Sequence, residues 1–166
     1  MHKQKIILIT NEYPPKRGGA GVYCEEIVYS SQKLGIPLHV WAPNYVEENQ
    51  KNLKKLSIKG SQGWLCSFRI FLELWKQKKT FNQSTILHFA EPGSLRALIR
   101  FSWLIKDLPK YIVTIHGSEM IRFTFNPLER ILFKKTLKNA KRIHILSNYN
   151  KRKILKFCPE IENLIF

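Results

Sequence analysis

Two places in this chain hold residue types that can do chemistry at a ligand. The first is Gly18-Gly19-Ala20-Gly21, between the apolar run Ile6-Ile7-Leu8-Ile9 and a stretch of helical periodicity. Glycines let a backbone come close to a bound group. The N–H groups that open a helix then present partial positive charge, which suits phosphate or crowded sugar hydroxyls. The second place is His116-Gly117-Ser118-Glu119, directly after the apolar run Tyr111 to Ile115. An imidazole at a strand end is a hydrogen-bonding group that works near neutral pH, and the glycine beside it allows close approach.

The glycine cluster nearly completes a dinucleotide fingerprint, because Gly19, Gly21 and Cys24 have Gly-x-Gly-x-x-Gly spacing with Cys at the third position. That fingerprint needs its first glycine right after the strand and an acidic residue at the end of the next strand. Here eight residues separate Ile9 from Gly18, and the next strand ends Trp41-Ala42-Pro43-Asn44. An NAD site is therefore disfavoured, and a glycine turn that serves only packing stays open as the alternative. No Gly-x-Ser-x-Gly elbow, Gly-Lys-Ser/Thr phosphate loop or His-Glu-x-x-His zinc helix occurs.

Alternating strands and helices must position these residues. Strands are expected at Ile6–Ile9, Ile36–Ala42, Leu56–Lys59, Ser84–Ala90, Tyr111–His116 and Arg142–Leu146. A helix follows the glycines, with Tyr23, Ile27, Ser30, Ser31 and Leu34 on one face and Gly35 as its stop. The turn 60–63 leads into a helix over Trp64–Lys79, where Trp64, Leu65, Phe68, Phe71, Leu72 and Trp75 recur at helical spacing. Its polar side carries Arg69, Lys76, Lys78 and Lys79, so it reads either as core packing or as an interfacial helix resting on anionic headgroups. Further helices are expected from Ser94 to about Lys106, after the Asn126-Pro127-Leu128-Glu129 start, and after Ser147. Such alternation gives an α/β fold, Rossmann-like, with a mostly parallel sheet and helices on both faces.

In an open parallel sheet ligands gather at the carboxyl ends of the strands. Those ends supply Asn11 and the glycine turn, Asn44, Glu91, His116 to Glu119, and Ser147-Asn148. His39, His88 and His144 lie inside strands and read as ordinary core or surface histidines.

With 166 residues the chain is long enough for one domain with a real core. Three cysteines without a Cys-x-x-Cys pair fit reduced thiols better than a disulfide framework or a zinc site. Residues 1–50 hold five basic and five acidic side chains, so the whole net charge of +16 lies in residues 51–166. A field of that size attracts polyanions, either nucleic acid or an anionic membrane.

The segments Glu12-Tyr13-Pro14-Pro15, Gly18-Gly19-Ala20-Gly21, Lys33-Leu34-Gly35 and Ala42-Pro43 together resemble the N-terminal domain of family-4 glycosyltransferases of GT-B fold. Thr114 to Glu119 is similar to that family's His-Gly segment, and Ile145-Leu146-Ser147-Asn148 to a later strand followed by serine. The resemblance implies an acceptor-binding domain over 1–157, with 158–166 opening an interdomain segment and a C-terminal donor-binding domain beyond it. It implies retaining transfer from a nucleotide-sugar to a glycan or lipid-linked acceptor, without cofactor or obligatory metal. By residue, Gly18, Gly19 and Gly21 would line the crevice, His116 would assist glycosidic bond formation, and Glu119, Ser147 and Asn148 would contact substrate. Trp64, Phe68, Trp75, Lys76, Lys78 and Lys79 would face an anionic membrane, making the protein cytoplasmic and peripheral on the inner face of the plasma membrane. The family's two donor-gripping glutamates, spaced eight apart, have no counterpart here. A non-catalytic nucleic-acid-binding domain is the rival reading, motivated by the same charge and 20 aromatic residues, but it lacks a binding motif.

Overall fold

The computed structural model describes residues 4–15, 18–47, 52–60 and 63–166. Lys16 and Arg17 of the glycine-rich stretch, residues 48–51 of the polar excursion, and Ser61 and Gln62 of the expected turn lie outside them. Six strands, β1 (Lys5–Ile9), β2 (Leu38–Pro43), β3 (Leu53–Leu56), β4 (Thr85–Phe89), β5 (Lys110–Ile115) and β6 (Arg142–Ile145), form one sheet. Its order is β3-β2-β1-β4-β5-β6, with every neighbouring pair parallel. Among the described residues there are six α-helices, α6 following the last strand: α1 (Gly19–Lys33), α2 (Trp64–Gln77), α3 (Pro92–Phe101), α4 (Glu119–Thr124), α5 (Pro127–Lys138) and α6 (Asn148–Phe157).

Side chains of a strand alternate between faces, and here the alternation separates two cores. Leu8 packs with Val40, Ala42 and with Cys24 and Val28 of α1. Its neighbours Ile7 and Ile9 point the other way, into a larger core with Ile70 of α2, Leu95 of α3, Phe133 of α5 and Ile154 of α6. Helices thus cover both faces, α1 on one and the rest on the other. Right-handed crossovers require this, because the chain moves one way from β1 to β2 and the opposite way from β3 through β6. The reversal falls between β1 and β4.

The strand expected at Leu56–Lys59 lies instead at Leu53–Leu56, in register with Val40 to Pro43. Edge-strand chemistry explains the shift, since Lys54 and Lys55 occupy the sheet edge while Leu56 turns inward. Lys54 also forms an ion pair with Glu73 of α2. In α2 the inward stripe is Cys66, Ser67, Ile70, Phe71 and Leu74. Trp64, Leu65, Leu72 and Trp75, from the apolar sector read as either packed or interfacial, are exposed, with Trp64 at 57% and Trp75 at 42%. In α1, Leu34 is exposed rather than packed, because the inward positions are Gly21, Cys24, Val28 and Ser31. The helix expected to reach Lys106 ends at Phe101 and continues as a 3-10 turn over Ser102–Leu104. Beyond α6, a 3-10 segment, Pro159–Leu164, buries Ile161 in the larger core, and Ile165 makes a parallel bridge to Ile143 beside β6.

Candidate functional site

Because every strand is parallel, the N-terminal ends of the helices collect at the carboxyl edge of the sheet. At the β1–β4 reversal, Asn11 follows β1 and Glu91 follows β4, both buried. Glu91 is the N-cap of α3, and its carboxylate accepts from the backbone N–H of Gly93 (2.6 Å), Ser94 (2.5 Å) and Asn11 (3.1 Å). Ser94 Oγ lies near the Glu91 N–H, completing a reciprocal capping box. Burial pushes the Glu91 carboxyl above the usual range, against the pull of those three N–H donors. The Asn11 side-chain amide is 1% exposed, and neither its Nδ2 nor its Oδ1 has a hydrogen-bond partner.

The glycine turn opens α1 next to this corner. Gly18 is the N-cap and has no side chain to offer. A Cβ there would meet the Glu12 carboxylate, which would have to swing aside. Glu12 Oε1 also accepts from the Gly21 N–H at 3.4 Å. Gly19 stays exposed while Gly21 is buried against the sheet.

His116 directly follows β5, half-buried. Its Nε2 lies 2.8 Å from the Ala90 carbonyl, and since a carbonyl only accepts, Nε2 carries the proton. That leaves Nδ1 as the nitrogen able to meet a ligand. Gly117 adopts φ +126, a conformation that favours glycine, and Asn150 Nδ2 sits 2.7 Å from where a Cβ would stand. Glu119 is fully buried, with its carboxylate accepting from the N–H of His116 (3.0 Å) and Gly117 (2.6 Å). It braces the turn that holds His116 and presents no oxygen to solvent. Asn150 donates to the His116 carbonyl at 3.0 Å, a brace from α6 that nothing in the sequence pattern singles out. Ser147 caps α6 by accepting from the Asn150 N–H at 3.2 Å. Ser147 and Asn148 are exposed and line a cleft of about 320 Å³ with Lys151 and Phe166.

Tyr23 brings the glycine turn and His116 together. Two residues beyond Gly21, its ring meets the His116 ring edge-on, with centroids 5.2 Å apart. Its hydroxyl is 2.9 Å from Thr114 Oγ1 on β5 and 2.9 Å from His144 Nδ1 on β6. Thr114 Oγ1 is in turn 2.8 Å from His88 Nε2 on β4. His88 and His144, read from the sequence as ordinary strand histidines, thus belong to one polar chain under the site. Burial pushes the Tyr23 phenol up to about 12 and His88 down to about 4, the latter helped by His144 and His116. The available signal was chemical: a tyrosine packed inward must find a partner for its hydroxyl. The partners follow only from strand register, which pairs Thr114 with His144.

The membrane candidates divide between settings. Trp64 and Trp75 are exposed on α2, and Lys78 lies over the Trp75 ring at 3.9 Å. Lys76 and Lys79 are exposed nearby. Phe68 is half-buried, stacked on Trp64 and wedged against Phe71 and Phe101. Among the described residues no helix is long and apolar enough to cross a membrane.

No curated protein matches the chain. The family model described as Glycosyltransferase Family 4 matches residues 17–162. That span runs from the edge of the glycine turn through His116 and the Ser147 cap to the segment beside β6, and takes in β2 to β6, five of the six strands of the Rossmann-like parallel sheet. The chain belongs to glycosyltransferase family 4.

Proposed function

We propose that this domain is the acceptor-side wall of a sugar-transfer crevice. A nucleotide-sugar donor is gripped mainly by a second, donor-binding domain, and the acceptor is a glycan or a lipid-linked sugar presented at the cytoplasmic membrane face. Transfer retains the anomeric configuration and uses no cofactor or metal. The observation that carries this reading is the contact between Tyr23 and His116, which puts the glycine turn and the imidazole in one corner of the carboxyl edge. There the opening N–H groups of α1 favour negative charge, and the Glu12 carboxylate that accepts from Gly21 would swing aside for a diphosphate. The Nδ1 side of His116 can hydrogen-bond the transferred sugar or stabilise charge as the old glycosidic bond breaks, which is positioning and electrostatic work. The orphaned Asn11 amide adds unused hydrogen-bonding capacity beside the same corner.

Membrane contact is supported by the exposed Trp64, Leu65, Leu72 and Trp75 on α2, flanked by Lys76, Lys78 and Lys79. In the full-length enzyme, His116→Ala is expected to lower release of nucleoside diphosphate from UDP- and GDP-sugars by about a hundredfold or more. The fold should persist, because Glu119 and Asn150 hold this turn through backbone atoms. Turnover equal to wild type would remove His116 from the reaction.

A further inference from the structure

We propose that Tyr23 is a positioning residue that locks the glycine turn and His116, the two features of this corner, at a fixed separation, through hydrogen bonds to Thr114 and His144. The proposal rests on the reading of the glycine turn and His116 as one site. The apolar residues of α1, Cys24 and Val28, pack with Leu8, Val40 and Ala42 on the β1–β2 side. Apolar packing is non-directional and tolerates small slides of a helix, whereas hydrogen bonds near 2.9 Å do not. The Tyr23 hydroxyl reaches across to β5 and β6 at once, so two bonds from neighbouring strands triangulate the first turns of α1. The same ring presents its face or edge to His116, whose Nε2 is already tied to Ala90. Tyr23 therefore acts on both features of the corner: it sets where the glycine turn sits and limits how the imidazole can rotate.

The chain extends to His88 and can use every proton it owns. Thr114 and Tyr23 have one hydroxyl proton each, so donation can run from His88 through Thr114 and Tyr23 to His144, or the whole way back. Such a fully satisfied chain in a buried setting holds its members in one geometry. Removing the Tyr23 hydroxyl also leaves no buried orphan, because Thr114 keeps His88 and the half-buried His144 can turn to water. Tyr23→Phe is thus a clean deletion of the lock.

The test compares Tyr23→Phe, Thr114→Val and Thr114→Ser. In the full-length enzyme, Tyr23→Phe and Thr114→Val should lower kcat for nucleoside diphosphate release from UDP- and GDP-sugars by about tenfold or more, with donor KM within about twofold. Thr114→Ser, which keeps the hydroxyl, should behave as wild type. The Tyr23→Phe/Thr114→Val double variant should be no worse than either single one, since both cut the same chain. Hydrogen exchange should rise at the amides of residues 19–24 in Tyr23→Phe without rising in β1 and β4. Wild-type kcat in Tyr23→Phe, additive losses in the double variant, or a uniform rise in exchange across the sheet would each overturn the proposal. If Tyr23→Phe is active while His116→Ala is dead, the positioning role falls and the site stands; an active His116→Ala overturns the site itself.

Discussion

Of the three histidines gathered round Tyr23, His88 is the one whose charge the fold resists most. Burial holds it down to about 4 from an ordinary 6.5, and His144 and His116 push the same way. The unfolded chain takes up a proton below about pH 6.5 that the native state refuses until about pH 4. Stability from this group is therefore complete at neutral pH and lost as pH falls through that window. Between neutral pH and pH 5 the loss should be about 2 kcal/mol. Urea unfolding at the two pH values measures it, and His88→Gln should remove most of the difference; an unchanged pH dependence would assign it elsewhere. His144 and His39 shift in the same direction and leave a smaller remainder.

At the scale of elements, α3 draws most of its N-terminal capping from the Glu91 side chain. Glu91 satisfies the N–H groups of Gly93 and Ser94 and ties the helix to the end of β1 through Asn11. Glu91→Ala would uncap α3 and leave three N–H groups buried without acceptors, costing roughly 3 kcal/mol in urea unfolding. Glu91→Gln retains an acceptor and should cost less; equal losses from the two would mean that volume, not hydrogen bonding, is what Glu91 supplies. Helix α2, read from the sequence as either packed or interfacial, has its apolar residues divided between the two settings by the fold. Trp64 and Trp75 share helical spacing with Phe71, but the sheet accepts the stripe of Cys66, Ile70 and Leu74. A helix apolar on most of its circumference has two candidate inward faces, and its own periodicity does not choose between them.

For the molecule as a whole, the proposed anionic bilayer would use both the excess charge and the exposed α2 aromatics. Sedimentation with vesicles containing phosphatidylserine should carry the protein down, and binding should weaken as salt rises, because surface attraction is screened. Changing Trp64 and Trp75 to Ser should weaken binding without altering its salt dependence, while changing Lys76, Lys78 and Lys79 to Gln should flatten that dependence. Equal binding to neutral vesicles would contradict the electrostatic part. Phe68 is a poor target for this experiment, since its ring is packed against Phe71 and Phe101.

Sequence alone determined the alternation of strands and helices, the parallel sheet and the places where strands end in glycine or histidine. Those features are local: apolar runs, turn residues and caps act over a few neighbours. It did not reveal that Glu119 braces a turn from a buried position, that Asn150 supports His116 from another helix, or that His88, Thr114, Tyr23 and His144 form one chain. The Glu119 brace is local but depends on the carboxylate being buried, whereas the other contacts join residues tens of positions apart, from 26 between His88 and Thr114 to 121 between Tyr23 and His144. Strand register and the crossing of α1 over the sheet bring them to hydrogen-bond distance, and both are settled by how the two cores pack.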